Sequence, residues 1–151
     1  MAEYSYQTIE AWNTAIKLAV AVGRLKIGSN LKASTDAQAH AFEQAGLAAA
    51  LIAEGSARDG QAMVGMYRDA RGALAQCRSW LHVLAAVTNE QDSVFGNELD
   101  LAEQAARQIG GTLRTLDRAP MGQSGPGQGP GPGSRPPMRS SGPPPRDRGP
   151  R

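Results

Sequence analysis

No proline occurs before position 120: all 10 prolines of this chain lie from Pro120 onward. Proline lacks an amide hydrogen and its ring clashes with the preceding helical turn, so a long proline-free stretch can be helical along its whole length. That stretch is also rich in alanine, the strongest helix former. After Pro120 the chain is built of Gly, Pro, Ser and Arg, as in Gly129-Pro130-Gly131-Pro132 and Arg135-Pro136-Pro137-Met138-Arg139. This segment has too little apolar surface to offset the entropy of ordering, and its glycines keep no every-third spacing, so a collagen helix is excluded. The expected organisation is a folded domain over 1–118 and a disordered, low-complexity basic tail over 119–151.

Apolar spacing divides the first part into four helices. In the first, Ile9, Trp12, Ile16, Ala19 and Gly23 step by three or four, with Ala15 and Val22 beside them, and Thr8 as the expected cap. Gly28-Ser29-Asn30 breaks the pattern, and residues 28–35 read as a loop. Thr35 with Gln38 offers a capping box for the second helix. Ala41, Ala45, Ala48 and Ile52 then mark one face as far as about Gly55. Met63, Met66, Ala70, Leu74, Cys77, Leu81 and Leu84 mark a third helix from about Asp59 to Val87. Leu99, Ala102, Ala106, Ile109, Leu113 and Leu116 form a heptad-like stripe on a fourth, which begins between Ser93 and Asn97. Narrow stripes carrying small residues suit close antiparallel packing, so the expected fold is all-α, an up-down four-helix bundle.

Two glycine features carry specific expectations. Gly55 is placed to end the second helix in the left-handed conformation that glycine adopts without strain, with Ser56 or Asp59 capping the third. Gly110-Gly111 interrupts the fourth stripe at a cost of roughly 1 kcal/mol each relative to alanine, which suggests a close approach of another backbone or a local weak point.

Charge is uneven. The chain has 16 Lys and Arg against 14 Asp and Glu. Up to Pro120 the balance is 11 basic to 13 acidic, while the tail carries Arg135, Arg139, Arg146, Arg148 and Arg151 against Asp147 alone. A basic tail on a mildly acidic body points to a polyanion partner. Arg68, Arg71 and Arg78 fall within an arc of roughly 80° on the third helix. They are read either as a solvated face or as a band facing phosphates or a neighbouring subunit. These three and the five tail arginines are the candidate nucleic-acid-binding residues.

Enzyme and metal chemistry find no support. His40 and His82 are far apart, no Glu-x-x-His spacing occurs, and no metal or other cofactor is expected. Cys77 is the only cysteine and sits on an apolar stripe, where it reads as a core residue. No apolar run is long enough to span a bilayer, and no signal peptide is apparent, so a cytoplasmic location without membrane contact is expected. Trp12 reads as an anchor at one end of the bundle. Glu54 is placed for an ion pair with Arg58 at i,i+4, or for a reach across the turn to Arg71.

The segment Ile52-Ala53-Glu54-Gly55, followed by Arg58, and the downstream Ala70-Arg71-Gly72-Ala73-Leu74-Ala75 carry a family resemblance. So do Trp12 with Ile9 and Ala15, and Ile109-Gly110 with Leu113. Together these resemble the bacterial four-helix bundle proteins encoded in intervening sequences of 23S rRNA genes. Relatives of that family include the accessory variability proteins of diversity-generating retroelements. The resemblance covers about residues 5–118. It implies four antiparallel helices, a pentameric homo-oligomer, and association with nucleic acid. The family's early Arg pair in the second helix is replaced here by Phe42-Glu43. That replacement counts against RNA binding by the body itself. The expected function is a non-enzymatic, oligomeric four-helix bundle acting as an assembly or nucleic-acid-associated module, with RNA or DNA as the candidate partner. The alternative is an accessory subunit that contacts only a protein partner.

Overall fold

The structure is a computed structural model and describes residues 5–119. The tail, with its five arginines and its expected disorder, lies outside the described residues. Four α-helices account for most of the described chain: α1 (Glu10–Gly23), α2 (Lys32–Ser56), α3 (Gly60–Thr88) and α4 (Gly96–Arg118). Short 3-10 turns at Ser5–Thr8 and Asp92–Phe95 lead into α1 and α4. α1 packs on α2, α2 on α3 and α3 on α4, and α4 closes against α1. No strand occurs among the described residues. This is the four-helix bundle that the stripes demand, with short connections forcing successive helices antiparallel.

The core is narrow because its walls are alanine. On α2 the buried face is Ala37, Ala41, Ala45, Ala48, Ala49 and Ile52. Small side chains let α2 approach its neighbours closely, and the bulk is supplied from opposite helices by Leu18, Leu74, Leu81, Leu84 and Ile109, all fully buried. Burying each such side chain contributes about 1.5–3 kcal/mol. Leu84, Ala37, Ala85 and Phe95 form a second, smaller cluster at one end.

Several local expectations are corrected. The face of α1 is rotated: Ala11, Thr14, Ala15, Leu18, Ala19 and Val22 are buried, while Ile16 and Gly23 are exposed. Alanines at 11 and 15 bring α1 closer to the bundle than Ile16 would, so the smaller stripe turns inward. Ile9, not Thr8, occupies the N-cap position, and the Thr8 hydroxyl donates to the Ser5 carbonyl. Helix α2 begins at Lys32, so the Thr35–Gln38 capping box does not form. Gln38 instead donates through Nε2 to the carbonyls of Val22 (2.9 Å) and Leu25 (3.0 Å), satisfying the C-terminus of α1.

Gly55 does not end α2 in a left-handed conformation; it is buried within the helix. A Cβ built there would lie 2.8 Å from Tyr67 Cε1 and 3.0 Å from Met66 Cβ. The glycine makes room for α3, and the left-handed residues are Gly60 (φ 56°) and Asn89 (φ 56°). Asn89 terminates α3 with the Glu90 amide bonded to the Ala85 carbonyl at 2.9 Å, the Schellman arrangement. Asp59 holds the N-cap position of α3 but makes no side-chain cap, and Ser56 donates to the Ala53 carbonyl. Gly110 and Gly111 meet no foreign backbone: only the Arg114 guanidinium lies near their Cβ positions, at 3.6 and 3.9 Å.

Candidate nucleic-acid interface

Arginine face of α3 and α4. The antiparallel pairing of these helices sets Arg68 against Asp117 (4.0 Å) and Arg78 against Glu103 (3.9 Å). Glu103 also holds Arg107 at 3.4 Å. Helical geometry puts Glu103, Arg107, Gly110, Arg114 and Asp117 along one line of α4, since steps of three and four residues return to nearly the same azimuth. The three α3 arginines thus meet two more, Arg107 and Arg114, on the neighbouring helix. Exposed Asp100, three residues before Glu103, joins the same line, so the resulting face carries five arginines against three carboxylates, although the body as a whole has slightly more acidic than basic residues.

The ion pairs on this face are loose. Their side chains are roughly half exposed, and pairs of that kind contribute about 0–1 kcal/mol. They steer the arginines rather than hold the helices together. Arg71 and Arg114 make no hydrogen bond or ion pair among the described residues. Arg78 is half-buried, and its Nε lies buried without a partner. All the basic residues of α3 and α4 are arginines, whereas the three lysines, Lys17, Lys26 and Lys32, lie on α1, on the α1–α2 connection and at the start of α2. Guanidinium presents a planar fork of donors that matches two oxygens of a phosphate, which ammonium does not.

The remaining predicted residues take structural places. Ile52 and Ala70 are buried and Ala53 is half-buried. Glu54 pairs with Arg58 at 2.7 Å, and that pair, not a reach to Arg71, uses its carboxylate. Gly72 is exposed with open space around it. Trp12 lies half-buried at the edge of the core, its ring 5.2 Å from that of Tyr6. His40 stacks on Trp80 at 4.4 Å and His82 meets Asp92 at 3.0 Å. Cys77 is fully buried, and loss of hydration pushes its thiol up to about 12.

Arg107 and Arg114 were missed in the sequence because each helix was read alone. Their signal is the azimuth they share with Glu103 and Asp117. A second surface was also missed. Ile16, Val20 and Gly23 on α1, and Thr35, Ala39, Phe42 and Gly46 on α2, are exposed and uncharged. Phe42 is 50% exposed, and its ring lies over Gly23. A shallow depression of about 410 Å³ opens between Gly23, Thr35, Gln38, Ala39 and Phe42. No helix among the described residues is long and apolar enough to cross a membrane. Set against known protein families, curated proteins and solved structures, the chain matches none.

Proposed function

We propose that this chain is a non-enzymatic, oligomeric four-helix bundle that associates with RNA or DNA. The observation that carries this reading is the concentration of five arginines on the α3–α4 face of an otherwise slightly acidic body. Phosphate backbones bind such faces through counterion release, independently of sequence. Five further arginines in the tail extend the same chemistry. The resemblance to the intervening-sequence family supports a homo-oligomer, pentameric in that family, working in a bacterial cytoplasm.

The test is retention of RNA across a salt series, for the full chain and for a chain ending at Arg118, with light scattering on both. Expected are binding that weakens as salt rises, residual binding by the shorter chain, and a mass several times that of one copy. A monomer that retains neither RNA nor DNA at low salt overturns the proposal.

The second reading is an accessory subunit that contacts a protein. It is favoured by the exposed α1–α2 face around Phe42, since uncharged apolar faces of that kind mark interaction sites. Loss of oligomers or of a protein partner in Phe42→Lys, with RNA retention unchanged, would favour it.

A further inference from the structure

The geometry points to one phosphodiester-binding position within the arginine face, formed by Arg68, Arg71 and Arg114, with Asp117 as its built-in competitor. This rests on the nucleic-acid reading and deepens it by naming the group that is engaged. The two cross-helix ion pairs mark the register of α3 against α4. Arg71 lies three residues beyond Arg68 and seven before Arg78, so the same register sets it opposite the stretch from Gly110 to Arg114. Arg114 folds back over Gly110 and Gly111, its guanidinium nitrogens within ordinary contact distance of their Cβ positions. Two guanidinium groups without a hydrogen bond or ion pair among the described residues, Arg71 and Arg114, therefore belong to one stretch of the α3–α4 face, beside a third tied only loosely, at 4.0 Å, to Asp117.

The two ends of the face differ. Near Arg78, two guanidinium groups share Glu103 at 3.9 and 3.4 Å. Near Arg71, Asp117 pairs with Arg68 alone, at 4.0 Å, and Arg71 and Arg114 have no hydrogen bond or ion pair among the described residues. The excess positive charge, and the free donors, are thus at the Arg71 end. A phosphodiester brings two non-bridging oxygens, each able to accept from more than one guanidinium, and such bonds are the stronger, charge-assisted kind. The Asp117 carboxylate already stands beside Arg68 as an anion of similar chemistry. A phosphate arriving there displaces it or shares its arginine, so Asp117 lowers the affinity of the site.

The experiment uses the full chain with a single-stranded RNA, a duplex DNA and inorganic phosphate as probes, followed by affinity across a salt series and by backbone amide shifts. Asp117→Asn should tighten nucleic-acid binding by about 3- to 10-fold. Arg71→Gln and Arg114→Gln should each weaken it by a similar factor and lower the salt slope for single strands by about 0.7. Lys17→Gln, at an exposed position of α1, is the charge-matched control. All four positions are exposed, and circular dichroism is the check that each variant folds. If the wild-type chain binds nucleic acid but Arg71→Gln and Arg114→Gln behave like Lys17→Gln, and Asp117→Asn changes nothing, the site is wrong while the nucleic-acid reading stands. If nucleic acid is not retained, yet inorganic phosphate shifts the amides of Arg71, Gly110 and Gly111, the anion site stands and the nucleic-acid reading falls. No response to any probe overturns both.

Discussion

The ring of Tyr67 on α3 rests against the bare backbone of Gly55 on α2. A Cβ at Gly55 would come within 2.8 Å of Tyr67 Cε1 and 3.0 Å of Met66 Cβ. Gly55 is helical, so alanine there improves local propensity by about 1 kcal/mol. Against that gain, overpacking costs about 1–3 kcal/mol. Gly55→Ala is therefore expected to destabilise the bundle by about 1 kcal/mol in urea denaturation. In a Tyr67→Leu background the same substitution should cost less, because the two residues are coupled through one contact. Equal costs in both backgrounds would show that the ring is not what requires the glycine.

Gly110 and Gly111 are the opposite case. Their Cβ positions meet only the end of the flexible Arg114 side chain, at 3.6 and 3.9 Å. Alanine at either site should stabilise the bundle by about 0.5–1 kcal/mol, by raising helix propensity and restricting the unfolded chain. The check is the denaturation midpoint of each variant at unchanged slope; a lower midpoint would mean that another group needs the space.

Gln38 fastens the end of α1 to α2 through two hydrogen bonds from a single amide, to Val22 and Leu25. Its replacement by leucine leaves both carbonyls without this donor. A loss of about 1–2 kcal/mol is expected, together with faster amide exchange at the C-terminal end of α1. Gln38→Glu should lose at least as much at neutral pH. A carboxylate cannot donate, and it adds negative charge beside a helix C-terminus.

Cys77 sets a pH dependence. Its thiol, ordinarily 9.0, is pushed up to about 12 by desolvation. Between those values the unfolded chain releases a proton that the folded chain keeps. Stability therefore falls as pH rises from about 9 to about 12, by up to about 1.4 kcal/mol per pH unit. Below pH 9 this contribution is flat. Burial also raises the Tyr67 phenol above its ordinary 10.0, which adds loss in the upper part of the range. The advantage of the wild-type chain over Cys77→Ala should shrink by about 2 kcal/mol between pH 8 and pH 10.5. A thiol reagent should label native Cys77 only as fast as the bundle opens.

The helix count and the bundle were legible in the sequence because periodicity is a property of the chain alone. Leu74, Cys77, Leu81 and Leu84 recur at the helical step, and all four are buried. The absence of proline up to position 119 and the polar breaks near Gly28, Arg58 and Asn89 set the number and approximate ends of the helices. On α2 the stripe of Ala41, Ala45, Ala48 and Ile52 is buried as read, but on α1 the sequence was ambiguous, since alanine is compatible with either face. That is how α1 came to be read one position out of phase, on Ile16 rather than on Ala11, Ala15, Leu18 and Val22.

Only the tertiary structure decided what depends on a neighbour. Gly55 looked like a helix end and is a seat for Tyr67. Gln38 looked like part of a cap for its own helix and closes another. Arg68, Arg71 and Arg78 could be placed on one face of α3 from their spacing, but their partners could not, because the register of α3 against α4 is set by how two complete helices pack. Periodicity is written locally along the chain, whereas a site made by two helices exists only after their cores have docked.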